Sequence, residues 1–379
     1  MKKMLYFMFL GTLFIACHKN VYEGEKPDSK FSIPADFEWK TLNRKMVTLT
    51  ETSSVYLEKM NQAGEVEKLL LGDALEPGEY SFAVSNFSGK IVTEPVVDLA
   101  RSASRADDRK NYVYFPSANT EATMIFEDLF PETGDLDMND VVFDFRVSYK
   151  LDKNGNNGKD QRVLELTIDV WPRAMGGKFY SSVGLAANLI ADNFKISGVE
   201  YTGTTAEGQL FDLESDGTEV GASSVIPLCA NLYDCYGGKT GILNTDKDEI
   251  HVDPSFFSVK IKFSHKPLYS QLNLEKDASG NLLDLFIVLG SREREIHRKN
   301  CPPTSKFGQE FLTENSNNVN FCSKSNNYVW ALIFDYSFKY PIERKAIYEA
   351  YPNFTDWVQG NWTDDANPWY MNQKGYYLY

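Results

Sequence analysis

"VVFDFRVSYKLDKNGNNGKDQRVLELTIDVW", residues 141–171, decides the fold. Phe143, Phe145, Val147, Tyr149 and Leu151 share one parity, and Asp144, Arg146, Ser148 and Lys150 take the other. Alternation with period two marks a strand with one buried face. "VLELTIDVW" repeats the pattern through Leu164, Leu166, Ile168 and Val170. The intervening "DKNGNNGKDQ" is rich in turn formers, so the two runs form an antiparallel hairpin. Asp152, Asn154 and Asn156 in that turn have the spacing of cation ligands. A calcium loop of the EF-hand kind needs Gly at its sixth position and Glu at its twelfth. Asn157 and Val163 stand there instead, so the segment reads as a plain turn.

Further strands follow the same logic on both sides. "FFSVKIKFS" alternates through Phe257, Val259, Ile261 and Phe263. "LLDLFIVLG" is continuously apolar, as a strand buried on both faces would be. "YVWALIFDYSFKY" is another strand candidate. Near the N-terminus, Met46, Thr48 and Thr50 alternate with Val47 and Leu49. One helix is expected over "PIERKAIYEAY", starting at Pro341, with Ile342, Ala346 and Ala350 on one stripe and Pro352 ending it. Strands far outnumber helices. The expected fold is mainly β, with two β-sandwich-like domains and a short C-terminal helix. The smaller domain spans 36–100, a charged linker 101–112 and the larger domain 113–379.

Immediately before the first strand of the hairpin lies "FEDLFPETGDLDMNDVVFDF", residues 126–145. It holds Glu127, Asp128, Glu132, Asp135, Asp137, Asp140 and Asp144. Carboxylates so dense repel one another unless a counter-charge or a proton intervenes. Side-chain oxygens recur at 135, 137 and 139, and Asp140 follows at once. A loop of this kind can wrap a hard cation, with Glu127 and Asp128 closing the shell from the preceding strand end. Calcium takes about six to eight oxygen ligands. Oxygen donors without His or Cys point to Ca²⁺ rather than zinc. The interleaved Leu136, Met138, Val141 and Val142 show that the loop folds back on the protein. A glycosidase-like pair of acids is the alternative. It requires an apolar pocket to raise one pKa, and nothing singles out two of the seven acids.

The chain has 379 residues and a formal charge of -14. That acidity argues against nucleic acid, because no basic face exists to neutralise phosphates. "MKKMLYFMFLGTLFIACHKN" reads as a signal peptide over 1–16. It is followed by Cys17 in the setting of a bacterial lipoprotein signal, with Phe14 where Leu is usual. Lipid on Cys17 would anchor the mature chain to a membrane, and polar residues 18–35 would be its tether. Cys229, Cys235, Cys301 and Cys322 remain, and in an exported chain they allow three pairings. The local pairs Cys229–Cys235 and Cys301–Cys322 are preferred.

No H-E-x-x-H, G-x-S-x-G or glycine-rich phosphate loop occurs. His297, in "REREIHRKNCPPT", reads as a structural or surface histidine rather than a base. Trp330, Trp357, Trp362 and Trp369 read first as core packing, and second as rings that could stack on sugars.

Together these segments resemble the LruC-domain lipoproteins. "FEDLFPETGDLDMNDVVFDF" resembles that family's F-E-D-L-x-P-x-x-G-D-x-D-x-N-D signature. "FKYPIERKAIYEAYPNFTDWVQG" resembles its F-K-Y-P-x-E…AYP-x-F-x-x-W segment. "EIHRKNCPPTS" and "FEWKT" resemble two shorter motifs, although "HRKNCPPT" departs from the family's usual His-Leu-Pro-Gly-Tyr-like stretch. The resemblance covers about residues 113–370. It implies a lipoprotein of the Gram-negative outer membrane, often surface-exposed, with a calcium-binding D-x-D-x-N-D loop, and it brings no catalytic residue. The expected function is therefore non-enzymatic. The protein would act in adhesion or extracellular ligand binding, with a glycan or protein as partner and Ca²⁺ as a structural ion.

Overall fold

The computed structural model describes residues 33–60, 65–85, 89–96, 111–152, 161–177, 179, 181–188, 195–206, 208, 210–312, 320–362 and 368–379. The signal peptide, Cys17, most of the tether and residues 153–160 of the hairpin turn lie outside them, as does most of the 101–112 segment. Among the described residues no helix is long and apolar enough to cross a membrane.

The strands are β1 (Leu42–Leu49), β2 (Ser53–Met60), β3 (Val66–Leu75), β4 (Gly78–Ser85), β5 (Gly89–Pro95), β6 (Tyr112–Phe115), β7 (Ala122–Phe126) and β8 (Val141–Leu151). They continue with β9 (Val163–Ala174), β10 (Ser181–Asn188), β11 (Lys195–Thr202), β12 (Val225–Cys229), β13 (Phe257–His265), β14 (Leu282–Leu289), β15 (Glu295–Ile296) and β16 (Ala331–Phe334). The fold is mainly β. The main sheet runs β11-β13-β9-β8-β6-β3-β2-β5, and β7 also pairs with β8 and carries β16. A second sheet runs β12-β10-β14-β15, and β1 pairs with β4. Strand β3 pairs with β6, so hydrogen bonding continues from the N-terminal strands into the rest of the sheet.

The β8–β9 hairpin forms as its alternation implies. Phe143, Phe145, Val147, Tyr149 and Leu151 are all buried. One position differs. The register shifts between Lys150 and Leu151, so Leu151 faces Val163 and Lys150 faces Glu165. Leu164 is the extra residue of this bulge. It is only half-buried, and Val163 takes the core position that strict parity gave to Leu164. β14 is buried along its whole length, as its unbroken apolar run requires.

The expected helix from Pro341 to Tyr351 is not formed as such. Only Ile347–Ala350 is α-helical (α1), and a second short helix, α2, spans Phe354–Val358. The amides of 342–344 instead donate outside the segment. Ile342 N donates to Tyr377 O, Glu343 N to Thr245 O, and Arg344 N to Asp137. Arg344 sits at φ +63°, which no α-helix tolerates. Tertiary hydrogen bonds have outweighed helix propensity here.

Packed on this region is a second apolar core, distinct from the one between the sheets. It joins Leu136, Met138 and Val142 to Phe338, Tyr340, Ile347, Tyr351, Trp357 and Trp369. Trp330, Trp357 and Trp369 are buried, so their rings serve packing. Trp357 stacks on Trp369 with centroids 5.0 Å apart. Trp362 is half-buried against the same core.

All four described cysteines are buried free thiols. Cys229 and Cys235 lie in each other's field, and Cys301 in that of Asp284, while Cys322 donates to Asn327.

Candidate metal centre

The loop between β7 and β8 is closed by their register: Phe126 pairs with Val141. This places Glu127 and Asp128, just past β7, beside Asn139 and Asp140, just before β8. The Asp128 amide donates to Asp140 Oδ2 at 2.7 Å. From β9's end, Gly176 N donates to Asp140 O at 2.9 Å and to Asn139 O at 3.1 Å.

Within the loop, residues alternate between two destinations. Leu136 and Met138 are 2% and 1% exposed and enter the second core. Asp135, Asp137 and Asn139 face the other way. Leu136 and Met138 have φ of +68° and +56°. Left-handed backbone at residues other than glycine costs about 1–2 kcal/mol each. It persists where the surroundings dictate it, and the burial of both side chains in the second core does so here.

The seven carboxylates are thereby sorted. Glu132 is exposed to water. Asp144 is taken by Thr123 Oγ1 at 2.5 Å, Ser337 Oγ at 2.9 Å and Arg173 at 3.3 Å. Asp128 and Asp140 lie in the field of Arg294, whose Nη2 donates to Asp128 O at 2.6 Å. Glu127, Asp135 and Asp137 converge, with one carboxylate oxygen of each within 4.8 Å of the others. Of the six residues expected as ligands, this triad is the set whose carboxylate oxygens are gathered. Asn139 adjoins it through its amide, which donates to Asp137 Oδ1 at 3.3 Å.

Several atoms here fit a cation. Glu127 is 1% exposed; its Oε1 accepts from Met138 N at 2.9 Å, and its Oε2 has no hydrogen bond. Asn139 is fully buried; its Nδ2 donates to Pro341 O at 3.1 Å, and its Oδ1 has no partner. Leaving a buried acceptor unsatisfied costs about 1–3 kcal/mol. Three glycines make room for these oxygens. A Cβ at Gly134 would stand 1.8 Å from Glu127 Oε2, one at Gly176 2.3 Å from Asn139 Oδ1, and one at Gly177 2.1 Å from Asp128 Oδ2.

The electrostatics agree. Burial, and then the charges of Asp135 and Asp128, push the Glu127 carboxyl well above the usual carboxylate range. Burial, and then Asp135, Glu127 and Glu343, do the same to Asp137. Asp140 is raised by burial and by Asp128, Glu127 and Asp137, and Asp135 by burial. Acids held this way take up protons or a cation.

Sequence reasoning missed the flanking parts. Glu343 and Arg294 come from distant segments and carry no local spacing signal. The adjacent Gly176 and Gly177 were a legible sign of close backbone approach. His297 proves wholly buried. Its Nδ1 meets Asp284 at 2.7 Å, its Nε2 meets Glu295 at 2.9 Å, and Phe286 stacks on its ring. Burial alone would lower its pKa, but the two carboxylates raise it, and they are themselves held low, Glu295 at about 2. It is a structural ion-pair centre. A cleft of 510 Å³ lies elsewhere, lined by Trp39, Lys40, Glu275, Lys276, Arg298 and Lys299 among others. Its charged groups are matched within the protein: Lys40 and Arg298 flank Glu275, and Lys276 and Lys299 donate to the carbonyls of Asn300 and Phe37.

Residues 161–370 match the model of a family described as a domain of unknown function, DUF4842. No curated protein matches the chain. Among solved structures it is similar to a crystal structure from Bacteroides ovatus described as a "Putative lipoprotein". The identity is 16%, over 90% of this chain and 93% of that chain, with a TM-score of 0.54. At that identity the likeness concerns the fold alone.

Proposed function

The chain belongs to the DUF4842 family, and we propose that it is an exported, lipid-anchored, non-enzymatic β protein whose 127–140 loop holds a structural divalent cation, Ca²⁺. The observation that carries the cation is the buried, unpaired Glu127 Oε2, on a carboxylate that has an oxygen within 4.8 Å of a carboxylate oxygen of Asp135 and of Asp137. Bound cation would replace protons on these acids and fix the loop between β7, β8 and the second core. Stabilisation follows RT ln(1 + [L]/Kd), about 2.7 kcal/mol at a hundredfold excess over Kd.

The anchor is supported by Cys17 after an apolar run of signal length. The B. ovatus structure, itself described as a "Putative lipoprotein", is compatible with it. The finer likeness to LruC-domain lipoproteins rests on the loop and C-terminal motifs. It favours the outer membrane, surface exposure and a role in adhesion or ligand binding. Catalysis is disfavoured because the raised acids are not among the residues lining the 510 Å³ cleft. Metal analysis of the purified protein, with calorimetric titration of Ca²⁺ after EDTA treatment, tests the reading. One ion per chain supports it, and no binding at millimolar Ca²⁺ removes it.

A further inference from the structure

The triad of Glu127, Asp135 and Asp137 offers three carboxylates, fewer ligands than the roughly six to eight oxygens that calcium takes. A fourth carboxylate, Glu343, comes from a segment far away in sequence whose neighbouring residues are hydrogen-bonded to the loop. Glu343 belongs to the turn 341–346 that replaces the first half of the expected helix. Its backbone N donates to Thr245 O at 2.9 Å, and its Oε2 accepts from Thr245 Oγ1 at 3.1 Å.

The neighbours of Glu343 are tied directly to the loop. Arg344 N donates to Asp137 Oδ2 at 2.8 Å, across 207 residues. Pro341 O accepts from Asn139 Nδ2 at 3.1 Å, and Ile347 N donates to Leu136 O at 2.8 Å. Three loop positions, 136, 137 and 139, are thus stitched to residues on either side of Glu343. Its negative charge bears on Glu127 and Asp137, and that of Asp135 bears on Glu343. Among these groups Arg344 is the compensating cation, acting on both Asp135 and Glu343. Four ionised carboxylates against one guanidinium leave three negative charges; a divalent ion reduces that to one.

Resting on the reading of the loop as a cation site, we propose that Glu343 is a further ligand of the same ion, so that one cation clamps the 127–140 loop to the C-terminal segment. The segment after Glu343 supplies α1, α2 and Tyr351, Phe354, Trp357 and Trp369 of the second core. Ion occupancy therefore governs how firmly that part is docked, and the site regulates the C-terminal region rather than the loop alone.

The test is Ca²⁺ titration by calorimetry of the full-length protein and its variants, with thermal melts in EDTA. Glu343→Gln is expected to weaken Ca²⁺ binding by about tenfold or more. In EDTA the same variant is expected to melt higher than wild type, because a like charge is gone. A residue with only a structural role would lower both. Glu343→Asp should bind with intermediate affinity, and the exposed Glu310→Gln should match wild type. Undiminished Ca²⁺ binding by Glu343→Gln overturns this inference and leaves the loop site standing. No binding by wild type overturns the loop site and the inference with it.

Discussion

Asp137 Oδ2 accepts a hydrogen bond from the Arg344 amide at 2.8 Å, bridging 207 residues of sequence. This contact explains why the C-terminal helix starts late: the amides of 343, 344 and 347 serve Thr245 and the acidic loop. It also joins the candidate ion site to an apolar core. Leu136, next to Asp137, is buried in that core at a left-handed φ. Leu136→Ala should lose about 2–5 kcal/mol in urea unfolding, and it should weaken Ca²⁺ binding although it removes no oxygen. An effect on stability with unchanged Ca²⁺ affinity would separate the core from the site.

Gly134 has no unusual φ, so its importance is spatial. A methyl there meets the Glu127 carboxylate. Gly134→Ala should cost about 1–3 kcal/mol, as overpacking does. More specifically, it should abolish the Ca²⁺-dependent rise in melting temperature. Retention of that rise would show that Glu127 is free to move aside.

The raised acids give a pH signature. Glu127, Asp137 and Asp140 hold protons in the ion-free fold at pH values where the unfolded chain, with carboxyls near about 4, has lost them. The native state then binds more protons, so the ion-free protein loses stability as pH rises above that point. Ca²⁺ competes with those protons. The melting-temperature gain from Ca²⁺ should therefore grow between about pH 5 and pH 8. A constant gain across that range would contradict the protonated, ion-free state.

His297 makes a separate prediction. Its pKa is raised by Asp284 and Glu295, so its contribution is full below the unfolded value of about 6.5 and fades as pH rises through the folded value. The partners' lowered values make their contribution full above about 4. His297→Phe should cost about 3 kcal/mol between those limits, since it strands buried carboxylates, and less at alkaline pH. Arg292 and Arg298 remain to offset part of the loss.

Much of this architecture was legible in residues 141–171, because period-two burial needs only one apolar face. The bulge at Leu164 was not, since register depends on the partner strand. The spacing of Asp135, Asp137 and Asn139 singled out the acidic loop, and the structure gathers Glu127 with two of them. That Asp128 and Asp140 face Arg294, and that Asp144 pairs with Arg173, could not be read from spacing; both arginines arrive through tertiary pairing. The helix at 341–351 misled for the same reason. Its stripe of Ile342, Ala346 and Ala350 is helical by pattern, but Tyr377, Thr245 and the acidic loop claim its amides. His297 looked isolated because its partners lie on β14 and β15, brought together by Ile287–Ile296 pairing.

The central claim is that one divalent cation holds the 127–140 loop in the fold. It is tested most directly by thermal melting in Ca²⁺ and in EDTA, for wild type and for Asp137→Ala with Asp140→Ala. The account predicts a higher melting temperature in Ca²⁺ for wild type, by several degrees, equivalent to about 2–3 kcal/mol at saturating ion, and none for the double variant. Identical wild-type melting curves in Ca²⁺ and EDTA would contradict it.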